Sequence, residues 1–301
     1  MHLWGIDLGG TKIECVILES RTNPRLVARQ RIPTEAHLGY EHIIGQLVKL
    51  IGMMTAETGL KPVSIGIGHP GTLDRNIAAI KNANTTALNG KPFDKDLEKA
   101  LGIPVRLAND ANCFAVAEAH AGAAHKVMPD AEVVFGVILG TGVGGGLVVN
   151  GKVINGRQGI GGEWGHNYLD DIGGPCYCGK TGCVETVFSG PALERFYAKL
   201  SGEKRKLADI AAHAQSGEDA AAVKTIDHLI RFFGKAIAVV INIVDPDVIV
   251  LGGGVGNIDR LYTDGVAEAA KYLFNDGRID TIFLKPALGD SAGVFGAALL
   301  R

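Results

Sequence analysis

Asp110 is the residue whose type and place most directly suggest chemistry. It sits with Asn109 where the apolar stretch VRLA meets the helical pattern ANCFAVAEA, and α/β chains present reactive groups at such strand-to-helix junctions. A carboxylate there could accept the proton of a substrate hydroxyl as that oxygen attacks a γ-phosphoryl group. Asn and Asp are also favoured helix N-caps, so base and cap compete evenly, and the two neighbours could each fill one role.

Phosphate binding would fall to two segments of one plan, GIDLGGTKIECVIL and GVILGTGVGGGLVVNGKV, each read as strand, glycine turn, strand. Glycine suits such turns because it accepts positive φ and lets phosphate oxygens reach backbone N–H groups. In the first, Asp7 precedes Gly9, Gly10, Thr11 and Lys12. Its carboxylate could hold magnesium through water, although Asp commonly caps turns; Lys12 could be a solvated strand residue. In the second, Gly140, Thr141, Gly142 and Gly144 offer N–H groups and a hydroxyl, which makes it the stronger phosphate candidate. Either segment alone could be an ordinary hairpin, but the pair points to two related halves. The second also spells G-x-G-x-x-G, which raises a dinucleotide-binding oxidoreductase. That fingerprint must open a helix, whereas GLVVNGKV continues as a strand that turns at Asn150 and Gly151, so this rival falls behind. No P-loop pattern occurs.

His166, Cys176, Cys178 and Cys183 crowd into one glycine-rich stretch and make a tetrahedral zinc set. With no open position, such a zinc would be structural and would stiffen a loop too polar to pack alone. A redox pair or unligated thiols are the alternatives. Glu163 and Glu185 flank the loop and could bind paired sugar hydroxyls, although a single Glu is more often a solvated surface residue. Two carboxylates also raise a glycosidase, which leaves both glycine hairpins unexplained. Near the end of the chain, a buried strand runs into Gly252, Gly253 and Gly254, where bare backbone could admit a flat adenine ring or merely form a turn.

The elements that must carry these groups alternate Val/Ile-rich runs with helical patterns, the signature of an α/β chain. At 301 residues the chain has room for two packed lobes. A formal charge of -2 gives no excess that would draw nucleic acid or an anionic membrane. No apolar run is long enough to span a bilayer, and MHLWGIDLGG shows no signal-peptide pattern. A soluble, cytoplasmic protein that acts on small molecules is expected.

DLGGTK, GHPG, NDAN, GTGVGGG, EWGH, C-x-C-x-x-x-x-C-x-E and VLGGG follow one another in this order. The series resembles the ROK family of sugar kinases and sugar-responsive repressors over essentially the whole chain. The resemblance implies a two-lobed, actin-like fold of the hexokinase type, α/β with mixed central sheets flanked by helices. The first lobe would take 1–118 with 289–301, and the second, with its zinc loop, 119–288. ATP, Mg2+ and structural Zn2+ are the implied cofactors, and a homodimer is implied as well. By motif, Asp110 would be the base, with Gly71, Asn109, Glu163, His166 and Glu185 around the sugar and Asn84 as a further contact. His166 would serve both zinc and sugar. Asp7, Gly10, Thr11, Thr141 and Gly142 match the phosphate hairpins, and Gly253 and Gly254 the adenosine loop; Lys12 receives no catalytic role.

His69 departs from the pattern, since members commonly carry Ile or Val there. Within the family, IKNANTTALNGKPFDKDL, EWGHN and CYCGKTGCVET look most like bacterial fructokinases, so fructose, taken at its 6-hydroxyl, is the expected substrate. N-acetylglucosamine kinases, which share much of NDANCFA and LGTGVGGG, are the nearest alternative, and a non-catalytic sugar sensor is another. The added N-terminal helix-turn-helix of the repressors is not expected with Asp7 so near the start, which disfavours DNA binding.

Overall fold

In a computed structural model, which describes residues 1–300, the chain groups into two compact units. The first takes 1–129, 146–162 and 287–301; the second takes 130–145 and 163–286. The strands in chain order are β1 (Leu3–Leu8), β2 (Lys12–Leu18), β3 (Leu26–Pro33), β4 (Ile65–His69), β5 (Thr72–Asp74), β6 (Ala79–Lys81), β7 (Val105–Asn109), β8 (Val133–Leu139), β9 (Val143–Val149), β10 (Lys152–Val153), β11 (Val248–Gly252) and β12 (Ile282–Leu284).

The sheet of the first unit has the order β3-β2-β1-β4-β7. β1, β2 and β3 run antiparallel, and β4 and β7 join β1 in parallel. Alternation sends Trp4, Ile6 and Leu8 to one face, where they share a core with Ile43, Leu47 and Leu50 of the helix Tyr40–Thr58. The other face is closed by the helix Ala292–Ala298, whose backbone comes so near that a Cβ on Gly5 or Gly66 would strike it. Strands covered on both faces read as continuous apolar runs, which is why β2 is buried from Ile13 through Leu18.

The second sheet has the order β10-β9-β8-β11-β12. From Gly146 onward, β9 and β10 group with the first unit. β8, β11 and β12 are parallel. Numbered from its own first strand, each five-stranded sheet reads 3-2-1-4-5, so the duplicated hairpin plan extends to the whole topology. β9 does continue as a strand into β10, turning at Asn150 (φ 48) and Gly151 (φ 69). Positive φ at both central residues is the hairpin geometry that an Asn-Gly pair favours. In the second unit the long helix Ala220–Val244 starts at Asp219, whose carboxylate caps Ala221 and Ala222, and buries Phe232, Phe233 and Ile237.

Candidate active site and metal centre

In the first unit, Asp7 lies at the end of β1, opposite Glu14, and the turn beyond it closes through Gly9 N–H to the Lys12 carbonyl at 3.0 Å. Gly10, Thr11 and Lys12 stand exposed at the tip. Buried Thr34 pins this turn. Its amide donates to the Thr11 carbonyl at 3.0 Å and its hydroxyl to the Gly9 carbonyl at 2.6 Å. No motif signals Thr34, and only the fold brings it here. Asp7 is half-buried, and burial, then repulsion from Asp110 and Glu14, pushes its pKa up to about 6 against the pull of Lys12 and Arg31. Such a carboxylate favours a cation beside it.

The side chains of Asn109 and Asp110 both reach the Ala111 N–H. The Asn109 side chain is the N-cap of the helix Asp110–His120, accepting from Ala111 N–H at 2.8 Å, and its amide donates to the Gly71 carbonyl at 3.2 Å. Asp110 is thus released from sole capping duty. One of its oxygens also accepts from Ala111 N–H, at 2.8 Å. The side chain is open to solvent by surface area, yet protein crowds it elsewhere, and burial raises its pKa against the backbone N–H groups of Ala111 and of Asp110 itself. Asn84 is exposed on the loop between β6 and the helix Phe93–Leu101, next to buried Thr85.

In the second unit the β8–β9 turn closes through Gly140 N–H to the Gly142 carbonyl at 2.9 Å, leaving Thr141 exposed and open space beside Gly140. Gly252 ends β11, and the short helix Gly253–Gly256 follows, with open space beside Gly254. Glu163 precedes a single 3-10 turn, Trp164–His166. Trp164 is buried and donates its indole N–H to the Ala236 carbonyl at 3.2 Å. A Cβ on Gly165 would overlap the Val143 carbonyl, so this turn lies flat against β9. Glu185 sits in the first turn of the helix Val184–Phe188 and accepts from Val143 N–H at 2.9 Å, which ties this carboxylate to the start of β9.

His166, Cys176, Cys178 and Cys183 converge, their ligand atoms all within 4.8 Å of one another. Cys176 Sγ lies 3.6 Å from His166 Nδ1, and Cys178 Sγ lies 3.6 Å from Cys183 Sγ. A tetrahedron with zinc–sulfur bonds of about 2.3 Å has edges of roughly 3.8 Å, so the four residues fit a structural zinc. Nδ1 of His166 faces the thiols, while Nε2 meets the hydroxyl of Tyr177 at 3.0 Å. One nitrogen therefore suits a metal, and the other is held by Tyr177. Exposed Tyr177, packed edge-on against that imidazole, belongs to the same constellation and carries no sequence signal.

Two glycine-turned hairpins at the centres of like-ordered sheets define an α/β protein of the actin-like, hexokinase-type class. A family model described as the ROK family matches residues 3–301. The N-acetyl-D-glucosamine kinase of Pectobacterium atrosepticum is 37% identical over 308 residues, covering 99% of this chain and 98% of that protein. The crystal structure of the ROK hexokinase from Thermus thermophilus matches with a TM-score of 0.87 and 34% identity, over 99% of this chain and 97% of that one. A ROK glucokinase from Streptomyces griseus, solved with glucose and AMPPNP, matches with a TM-score of 0.76 and 27% identity, over 99% and 98%. The chain belongs to the ROK family, the family of sugar kinases and sugar-responsive repressors that its motifs resemble. The fructokinase expectation gives way, because these curated relatives are N-acetylglucosamine kinases.

Proposed function

We propose that the protein is an ATP-dependent hexose kinase whose preferred acceptor is N-acetylglucosamine, phosphorylated on its 6-hydroxyl. The observation that carries the kinase reading is Asp110. It is a carboxylate just past the C-terminal end of a parallel strand, beside the Asn109 cap, and burial raises its pKa. The acceptor is inferred from relatives named for N-acetylglucosamine at 36–37% identity over 99% of this chain.

In this mechanism Asp110 takes the hydroxyl proton as the sugar oxygen bonds to the γ-phosphorus. The bond from that phosphorus to the β–γ bridging oxygen breaks, and ADP leaves. Asn109, Gly71, Asn84, Glu163, His166 and Glu185 are the residues that would orient hydroxyls. Backbone N–H groups of Gly10 to Lys12 and of Thr141 and Gly142 would take phosphate oxygens, and the turn from Gly252 to Gly254 the adenosine. Magnesium, held through water by Asp7, would offset phosphate charge. Zinc on the three cysteines and His166 would hold the Glu163–Glu185 loop in shape.

The test is ADP release with ATP and magnesium over N-acetylglucosamine, N-acetylmannosamine, glucose, mannose and fructose. The highest kcat/KM is expected on N-acetylglucosamine. Superior turnover of fructose would restore the fructokinase reading, and sugar binding without ADP release would make the protein a sensor. A homodimer and a cytoplasmic location belong to the same proposal, the first checked by its mass in solution.

A further inference from the structure

Glu118 lies fully buried near the end of the helix Asp110–His120, a state that a carboxylate tolerates only when its oxygens are hydrogen-bonded. Its partners are all backbone N–H groups. Ala123 donates to Oε2 at 2.6 Å, Ala287 to the same oxygen at 3.3 Å, and Leu288 to Oε1 at 3.3 Å. Gly122 makes the room, since a Cβ there would overlap the carboxylate. One side chain thus joins the helix that begins at Asp110 to the segment that leads into the helix Ala292–Ala298.

The far end of that last helix is held as well. Arg21 donates from Nη1 to the Leu299 carbonyl at 2.7 Å and from Nη2 to the Leu300 carbonyl at 3.2 Å, so its guanidinium meets acceptors that a helix end leaves open. Between the two anchors the helix runs tightly against its neighbours. A Cβ on Gly296 would overlap the carbonyl of Cys113, one turn after Asp110, and a Cβ on Gly293 would meet the Asp7 carboxylate at 3.4 Å. The helix that presents Asp110 and the carboxylate of Asp7 therefore both rest against one short helix, whose position along its own axis bears on how the two acids stand to each other.

We infer that Glu118 and Arg21 are positioning residues for phosphoryl transfer, which clamp the helix Ala292–Ala298 at both ends and so keep Asp7 and Asp110 in mutual register. The inference rests on the proposed kinase reading and deepens it. Both residues act through that helix and not on substrate. The bond from Asn109 to the Gly71 carbonyl is made apart from the clamp, so a slip of the helix reaches turnover and magnesium use before it reaches sugar binding.

The experiment compares the intact protein with Glu118→Gln, Glu118→Ala and Arg21→Met, and with Leu47→Ala, which weakens the core on the opposite face of the same sheet. ADP release and calorimetric binding of N-acetylglucosamine are measured well below each melting temperature, with magnesium varied at fixed ATP. The clamp variants should lose about tenfold to a hundredfold in kcat, the cost of a misplacement near an ångström, and should need more magnesium for half-maximal turnover. Their sugar Kd should stay where it is, and Leu47→Ala, once folded, should keep its kcat. Glu118→Gln, which retains one acceptor oxygen, should lose less than Glu118→Ala. Arg21 is only half-buried, so its variant keeps the test open should the Glu118 variants fail to fold. An unchanged kcat in Arg21→Met, a parallel loss of sugar binding, or an equal loss of kcat in Leu47→Ala would overturn the clamp and leave the kinase reading intact. An intact protein that releases no ADP with this sugar would overturn both.

Discussion

His69 ends β4 at 1% exposure, and it should make the first unit sensitive to acid. Its Nδ1–H donates to the Pro70 carbonyl at 2.9 Å, and its ring meets Phe93 edge-on. Burial takes its pKa from 6.5 down to about 4, and the Pro70 contact offsets this only in part. In the unfolded chain the ring protonates near 6.5, in the folded chain only near 4, so the unfolded state binds more protons in this window. Stability is then whole above about 6.5 and falls as pH drops through the window. Between pH 7 and pH 4.5 the loss is about 2 kcal/mol, approaching about 3 kcal/mol at lower pH.

Asp7 acts in the opposite sense. Its folded pKa of about 6 lies above the ordinary 3.8, so the folded state takes its proton first and gains stability as pH falls from about 6. Substituting His69→Leu removes one contribution and leaves the other. Denaturant melts of both proteins, read from buried Trp4 in a Trp164→Phe background, report on the first unit alone, because the chain has only these two tryptophans. The stability of the histidine form minus that of the leucine form should fall by about 2 kcal/mol from pH 7 to pH 4.5. A difference that stays flat with pH would refute a neutral, buried His69.

Asp110→Asn should lower kcat by roughly 10² to 10⁴-fold with little change in sugar binding; near-normal turnover would remove the base assignment. Stripping metal with a strong chelator under reducing conditions should release one zinc per chain, loosen the loop around Trp164 and weaken sugar binding, as followed by metal analysis, Trp164 fluorescence and calorimetry. Full sugar affinity with no zinc found would dismiss the metal. Gly165→Ala, which drives a methyl into the Val143 carbonyl, should cost roughly 4 kcal/mol or more; an unchanged melting temperature would show that the turn yields freely.

Residue order alone carried much of this protein. Glycine turns, apolar runs and an Asn-Gly hairpin are local signals, set by backbone sterics and burial period, so both hairpins and the α/β class were legible. The spacing of three cysteines and a histidine was legible for the same reason, since zinc ligation constrains residue type and separation together. Which of Asn109 and Asp110 caps the helix was not legible, because either side chain can accept the Ala111 N–H; in the structure both do, at 2.8 Å, and Asn109 holds the N-cap position. Thr34 on the first turn, Tyr177 on His166, and the bond from Glu185 to Val143 join residues distant in sequence or bearing no motif. A pocket behind Asn109 lies at that same level. The family motifs mark residues suited to phosphate, a sugar hydroxyl and zinc, whereas the pocket behind Asn109 is assembled from β4, β5, β7, the helix Asp110–His120 and the loop at Asn155. Its shape exists only once tertiary packing has brought those segments together and excluded water from them.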